Sequence, residues 1–211
     1  MYKKLYIVIL VILIGITGCN KPNNLPEEVE KIVKLENNNY QLWYFNITYD
    51  QYKNNIEGVL DESSINKDDE VIFGHNDEKY KGKDLIGLDI DQIKEYRAKM
   101  KKSVLWLYDI DELKVEVQIS DVYYDEKEDI KYVYTLAEKV TNNEKNMVLY
   151  TNFRYSFKQI DGIWKVFKID KSSASQGEDN TIQLYDELEY LYHNGEPISF
   201  IKTINPLTGG E

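Results

Sequence analysis

"MVLYTNFRYSFKQIDGIWKVFKI", residues 147–169, is the stretch that decides the fold. Met147, Leu149, Thr151, Phe153, Tyr155 and Phe157 alternate with a more polar set, which is the period-two pattern of a half-buried strand. Asp161-Gly162 separates this run from "IWKVFKI" (163–169). Asp-Gly between two such runs marks a two-residue hairpin, whose central positions both require positive φ. Upstream, "LKVEVQI" (113–119) sets Val115, Val117 and Ile119 against Lys114, Glu116 and Gln118, and "IKYVYTLAEKV" (130–140) follows it. Asn142 to Asn146 supplies the turn before residue 147. The pattern predicts four antiparallel strands.

Ahead of the strands the period is helical. Pro26 opens a segment with Glu27 and Glu28 behind it: proline suits the first helical position, and acids there complement the positive end of the dipole. Val29, Ile32, Val33, Tyr40, Trp43 and Tyr44 carry the apolar spacing, with Asn37-Asn38-Asn39 weakening the middle. Thr48 with Gln51 three residues on reads as a capping box. It begins a second run through Tyr49, Tyr52, Ile56, Val59 and Leu60. The spacing predicts helices over about 26–45, 49–62 and 90–102, with residues 68–89 as a hairpin or irregular loop. The class expected is α+β, three N-terminal helices packed on a curved antiparallel sheet of about four strands.

Beyond residue 171, "KSSASQGEDN" reads as a polar linker. "LYDELEYLYHNGEPISFI" (184–201) then carries its own apolar residues, Leu184, Leu188, Leu191 and Ile198. It is expected to be a helix folded over the open end of the sheet, or a partner-binding tail, with Gly195 and Pro197 placed to stop it. His193 lies near that helix end, where imidazolium favours the dipole.

The N-terminus concerns address rather than fold. Lys3 and Lys4 precede the aliphatic run Leu5 to Ile14, and Gly15 to Gly18 is small or short. This is the layout of a secretory signal peptide, too short for a helix that needs about 20 apolar residues to span a bilayer. Its exit, Ile16-Thr17-Gly18-Cys19, resembles the lipobox of bacterial lipoproteins. The resemblance implies cleavage between Gly18 and Cys19, with the Cys19 sulfur carrying a diacylglycerol. Cys19 is the single cysteine, so no intrachain disulfide competes for it. Two acyl chains supply the double signal that stable anchoring requires. The parts expected are a signal peptide (1–18), a lipidated tether (19–25), a folded domain (26–171) and a C-terminal extension (172–211). The outer face of the cytoplasmic membrane is the expected location. Scarce arginine with abundant Lys, Asn, Ile and Tyr suggests an AT-rich genome and, with the lipobox, a Gram-positive bacterium.

Charge narrows the partners. The chain carries a net charge of −11, and removal of Lys3 and Lys4 leaves 24 basic against 37 acidic side chains, a net charge of −13. So acidic a domain without a basic stripe argues against nucleic acid, whose binding rests on Lys and Arg neutralising phosphates. Electrostatic adhesion to anionic lipid is equally disfavoured. The lipid on Cys19 must therefore hold the membrane.

Two helices with a Tyr49-Asp50-x-Tyr52 junction, a third helix and a meander closing in "QIDGIWKVFKI" (159–169) resemble the NTF2-like, or cystatin-like, cone fold. That resemblance implies a sheet wrapped around the first helix with a pocket at the open end. It implies no activity, because the fold hosts isomerases, dehydratases, transport adaptors and binding modules. The pocket lining expected is Leu149, Thr151, Phe153 and Tyr155 with Trp164, an apolar and aromatic face. Its ionisable groups should be tyrosines or acids paired to the surface.

No catalytic set is assigned. Asp121, Asp125 and His75 read as strand-end or turn residues, and no pair has a diagnostic spacing. The acidic stretches 61–70 and 125–129 lack the ligand positions and glycine of an EF-hand loop, and no His/Cys cluster marks a transition-metal site. Neither a cofactor nor a metal is expected. The reading favoured is a binding or scaffolding module of the cell envelope, taking an envelope protein or a small apolar or aromatic ligand. The alternatives are an acid–base enzyme using the pocket, and an assembly component of an envelope secretion or conjugation machine.

Overall fold

A computed structural model describes residues 25–61, 87–103, 114–140, 148–176 and 188–208. Helix α1 (Glu27–Trp43) begins behind Pro26, with Glu27, Glu28 and Glu30 in its first turn and no side-chain cap. It runs unbroken through the asparagine run, because that run is tied to the next helix. Asn39 is buried and accepts from the Tyr52 hydroxyl at 2.9 Å, while Asn38 accepts from Asn55 at 2.7 Å. Helix α2 (Tyr49–Asn55) starts with the expected capping box: Thr48 Oγ1 accepts from Gln51 N–H, and Gln51 Oε1 from Thr48 N–H.

Helix α2 ends well before residue 62. Ile56 caps it, and Gly58 at φ 77° turns the chain, a conformation that costs glycine little. Leu60 then forms a parallel bridge to Val166, flanked by Val166 N–H to Val59 O at 2.9 Å and Asp61 N–H to Val166 O at 2.8 Å. Apolar Val59 and Leu60, spaced as if on a helix, instead cover a strand edge. Helix α3 (Ile90–Ser103) is opened by Asp89, whose Oδ1 accepts from the N–H groups of Asp91 and Gln92, both at 2.9 Å.

Among the described residues the sheet is antiparallel and has six strands, against about four expected. β1 (Lys114–Ser120), β3 (Ile130–Val140), β4 (Val148–Ile160), β5 (Ile163–Gln176) and β8 (Phe200–Ile204) lie in the order β5-β4-β3-β1-β8. β2 (Tyr123–Asp125) pairs with β3. The β4–β5 hairpin turns at Asp161 (φ 53°) and Gly162 (φ 79°), as Asp-Gly predicts. Ser156 pairs with Lys168 but Phe157 with Val166, so Phe167 is the extra residue of a bulge, a device that bends and twists a strand.

The register places Val117, Ala137 and Thr151 in one cross-strand row and Ile119, Thr135 and Phe153 in the next. These rows form the inner face, against which α1 and α2 pack as one core with Ile93 of α3.

The C-terminal segment differs from expectation. The described part of 184–201 is not helical, and the ordered domain does not stop at residue 171. β5 continues through Gln176, and Tyr192–His193 (β6) pairs with Glu196–Pro197 (β7) across a turn at Asn194 (φ 51°) and Gly195 (φ 88°). Asn-Gly here is a hairpin turn rather than a helix stop. The segment crosses the outer face of the sheet, where Leu188 packs with Ala174, Leu136, Tyr150 and Leu191. The chain then adds β8 beside β1. This strap explains why Asn152, on the polar side of β4, is buried: it bonds to Tyr190.

Candidate functional site

Glu36 lies on the same stripe of α1 as Val29, Ile32, Tyr40 and Trp43, the stripe that faces the sheet. It is 0% exposed. Val133 pairs with Tyr155 and Thr135 with Phe153, so Thr135 and Tyr155 project from neighbouring strands toward the helix. Both reach the same carboxylate oxygen: Tyr155 Oη–H donates to Glu36 Oε1 at 2.7 Å, and Thr135 Oγ1–H donates to it at 2.9 Å. Burial pushes the Glu36 carboxyl above its usual range, and these two donors with the nearby Lys139 charge only partly oppose that. Desolvation disfavours the ionised form, so burial shifts Glu36 toward the neutral acid.

The rest of the stripe is polar and incompletely satisfied. Glu36 Oε2, Tyr40 Oη and Trp43 Nε1 are all buried and have no hydrogen-bond partner among the described residues. Buried polar groups are nearly always paired with protein or ordered water, so three such atoms on one helical stripe are unusual. The Tyr40 and Trp43 rings meet edge to face, with centroids 4.8 Å apart. The Lys139 ammonium lies 5.3 Å from each centroid. Although Lys139 as a residue is half-buried, burial at its ammonium pulls its pKa down to about 8, with repulsion from Lys171 adding to this and attraction to Glu36 opposing it. Burial, together with the Glu36 and Tyr44 charges, holds the Tyr40 hydroxyl well above its ordinary value.

The residues expected to line a pocket are divided between two ends of the sheet. Phe153 and Tyr155 are together in the core, 4% and 1% exposed with ring centroids 5.8 Å apart, and Thr151 is buried beside them. Leu149 is half-buried opposite Lys139. Trp164 pairs with Gln159, ten residues along β4 from Leu149 and therefore about 33 Å away at strand rise. There it is half-buried, with Lys131 over its ring at 4.3 Å and Tyr124 edge-on at 6.4 Å. Gly18, Cys19 and His75 lie outside the described residues.

The expectation that only tyrosines and surface-paired acids would be found inside is overturned by Glu36. Helical phase carried the clue, since Glu36 follows Val29 by seven residues and Ile32 by four. Asp125, expected in the turn, is the last residue of β2 and pairs with Ile130, its Oδ1 accepting from the N–H groups of Lys127 and Glu128 in the turn that follows. His193 is not at a helix end but in β6, its Nδ1 2.8 Å from the Tyr134 hydroxyl. Burial lowers the pKa of His193 and raises that of Tyr134 to about 12. Comparison with known proteins adds no family: no family model matches the chain, and no match is found among curated proteins or solved structures.

Proposed function

We propose that this chain is a lipid-anchored, extracytoplasmic binding module of the bacterial envelope, built on an NTF2-like cone and held at the outer face of the cytoplasmic membrane through Cys19. The lipobox Ile16-Thr17-Gly18-Cys19 supports the anchor. The order of helices, then an antiparallel meander closing in an Asp-Gly hairpin, supports the cone.

The observation that carries binding over turnover is the state of the stripe Glu36-Tyr40-Trp43. Its three buried atoms without partners among the described residues offer hydrogen bonds that a guest would satisfy. The single carboxylate of the stripe already has one oxygen occupied by two donors, and burial shifts it toward its neutral form, a weaker base. A few polar groups set among apolar residues are what fixes a ligand's orientation in a pocket.

One observation favours the second reading, an acid–base enzyme. The Glu36 pKa is raised while that of Lys139 falls to about 8, and environments that push two groups toward neutrality characterise acid–base pairs. Anchoring and binding are tested separately. Cys19→Ser is expected to abolish palmitate labelling and release the protein from the membrane fraction. Unchanged labelling and membrane association in that variant would overturn the anchor.

A further inference from the structure

We propose that the Lys139 end of the inner face binds a small organic carboxylate with an apolar or aromatic body. This deepens the binding reading and rests on it. The argument begins with a donor count. Trp43 Nε1–H can only donate, the Lys139 ammonium can only donate, and the Tyr40 hydroxyl has a proton to give. On Glu36, Oε1 already accepts twice, and burial shifts the acid toward the form whose proton Oε2 would donate. Three of these four groups, on Glu36, Tyr40 and Trp43, are buried with no partner among the described residues. A guest that satisfies them must therefore bring acceptors.

Charge gives its sign. Lys139 faces Glu36 and Tyr40 from α1 and Lys171 from β5, with Tyr44 acting on Tyr40. Its cross-strand neighbours are Val115 on β1 and Leu149 on β4, both apolar. Lys139 and Lys171 repel each other, and burial shifts the neighbouring Glu36 toward its neutral form, so the positive charge is incompletely balanced and an anion relieves it. An uncompensated buried cation is costly.

The walls give the body. Tyr40 and Trp43 present rings, and half-buried Leu149 lies on the adjacent strand in register with Lys139. A carboxylate head among the donors leaves its substituent against these apolar surfaces. Inorganic phosphate has no such part and would leave them empty.

The mature full-length chain, purified in detergent, is titrated by calorimetry with acetate, butyrate and benzoate, with benzamide and inorganic phosphate as comparators. Saturable binding is expected, tightest for benzoate, with benzamide weaker by about tenfold or more. Affinity should fall as pH rises above about 8, where Lys139 loses its proton. Tyr40→Phe should weaken binding and keep the ring. Lys139→Met should abolish it while raising the urea midpoint at neutral pH, because a costly buried charge is gone. A purely structural lysine would not give that combination.

Three results would overturn the proposal: no saturable binding of any of the three carboxylates up to about 10 mM, binding unaffected by Lys139→Met, or phosphate preferred to all three. Palmitate labelling of the same preparations is read independently, so loss of binding with labelling intact rejects this site and leaves the anchor standing.

Discussion

The Tyr155 hydroxyl donates to Glu36 Oε1 at 2.7 Å across 119 residues of sequence, joining the first helix to β4 through an acid that water does not reach. With Thr135 on the same oxygen, the contact fixes the position of α1 over the sheet. Moving the helix by one turn would break both hydrogen bonds to Glu36, at about 1–3 kcal/mol each.

The pH dependence of this contact follows from the raised pKa of Glu36. In the unfolded chain the group titrates near 4.5, and in the fold it titrates higher. Its contribution to stability is therefore fully present below about pH 4.5 and is lost as pH rises through the folded value. Glu36→Gln removes the titration and keeps an acceptor for Tyr155 and Thr135. In urea titrations the wild type should lose stability relative to this variant as pH rises above about 4.5. Parallel profiles would show that Glu36 does not ionise against a burial cost.

Trp164 is packed against the core from the side rather than within it, between Lys131 and Tyr124. Trp164→Ala should cost about 2 kcal/mol, roughly half of what deletion of a fully buried tryptophan costs. A loss near 4 kcal/mol, read from the urea midpoint, would place it in the interior; no loss would make it a surface residue.

Asn152 fastens the strap to the outer face. Its Nδ2 donates to Thr135 O at 2.9 Å and to Tyr190 O at 3.1 Å, and its Oδ1 accepts from Tyr190 N–H at 2.8 Å. Asn152→Ala should cost about 2 kcal/mol and speed amide exchange at Tyr190. Exchange there at the wild-type rate would mean that Leu188 and its apolar neighbours hold the segment unaided.

The β4–β5 hairpin was legible because period two and Asp161-Gly162 agree, and the α2 start because Thr48 and Gln51 are spaced for reciprocal capping. Elsewhere, local pattern and tertiary pairing diverged. Val59 and Leu60 continue a helical spacing, but Gly58 lets the chain leave the helix and bond to Val166. Leu188 and Leu191 have helix-like spacing, yet Asn194-Gly195 makes the hairpin that turns the strap toward β8. Asn152 reads as solvent-facing because the alternation of β4 shows one buried side, and only a later segment covers it on the other. Glu36 was missed for a related reason: an acid on a helix is ordinarily exposed, and its burial depends on which stripe meets Thr135 and Tyr155.

The anchor is tested most directly by mass spectrometry of the N-terminal peptide of the protein recovered from its native membrane. The account predicts a chain that begins at Cys19 and carries a diacylglyceryl thioether on its sulfur. A peptide spanning an intact Gly18-Cys19 bond, or a free Cys19 thiol in the membrane-bound protein, would contradict it.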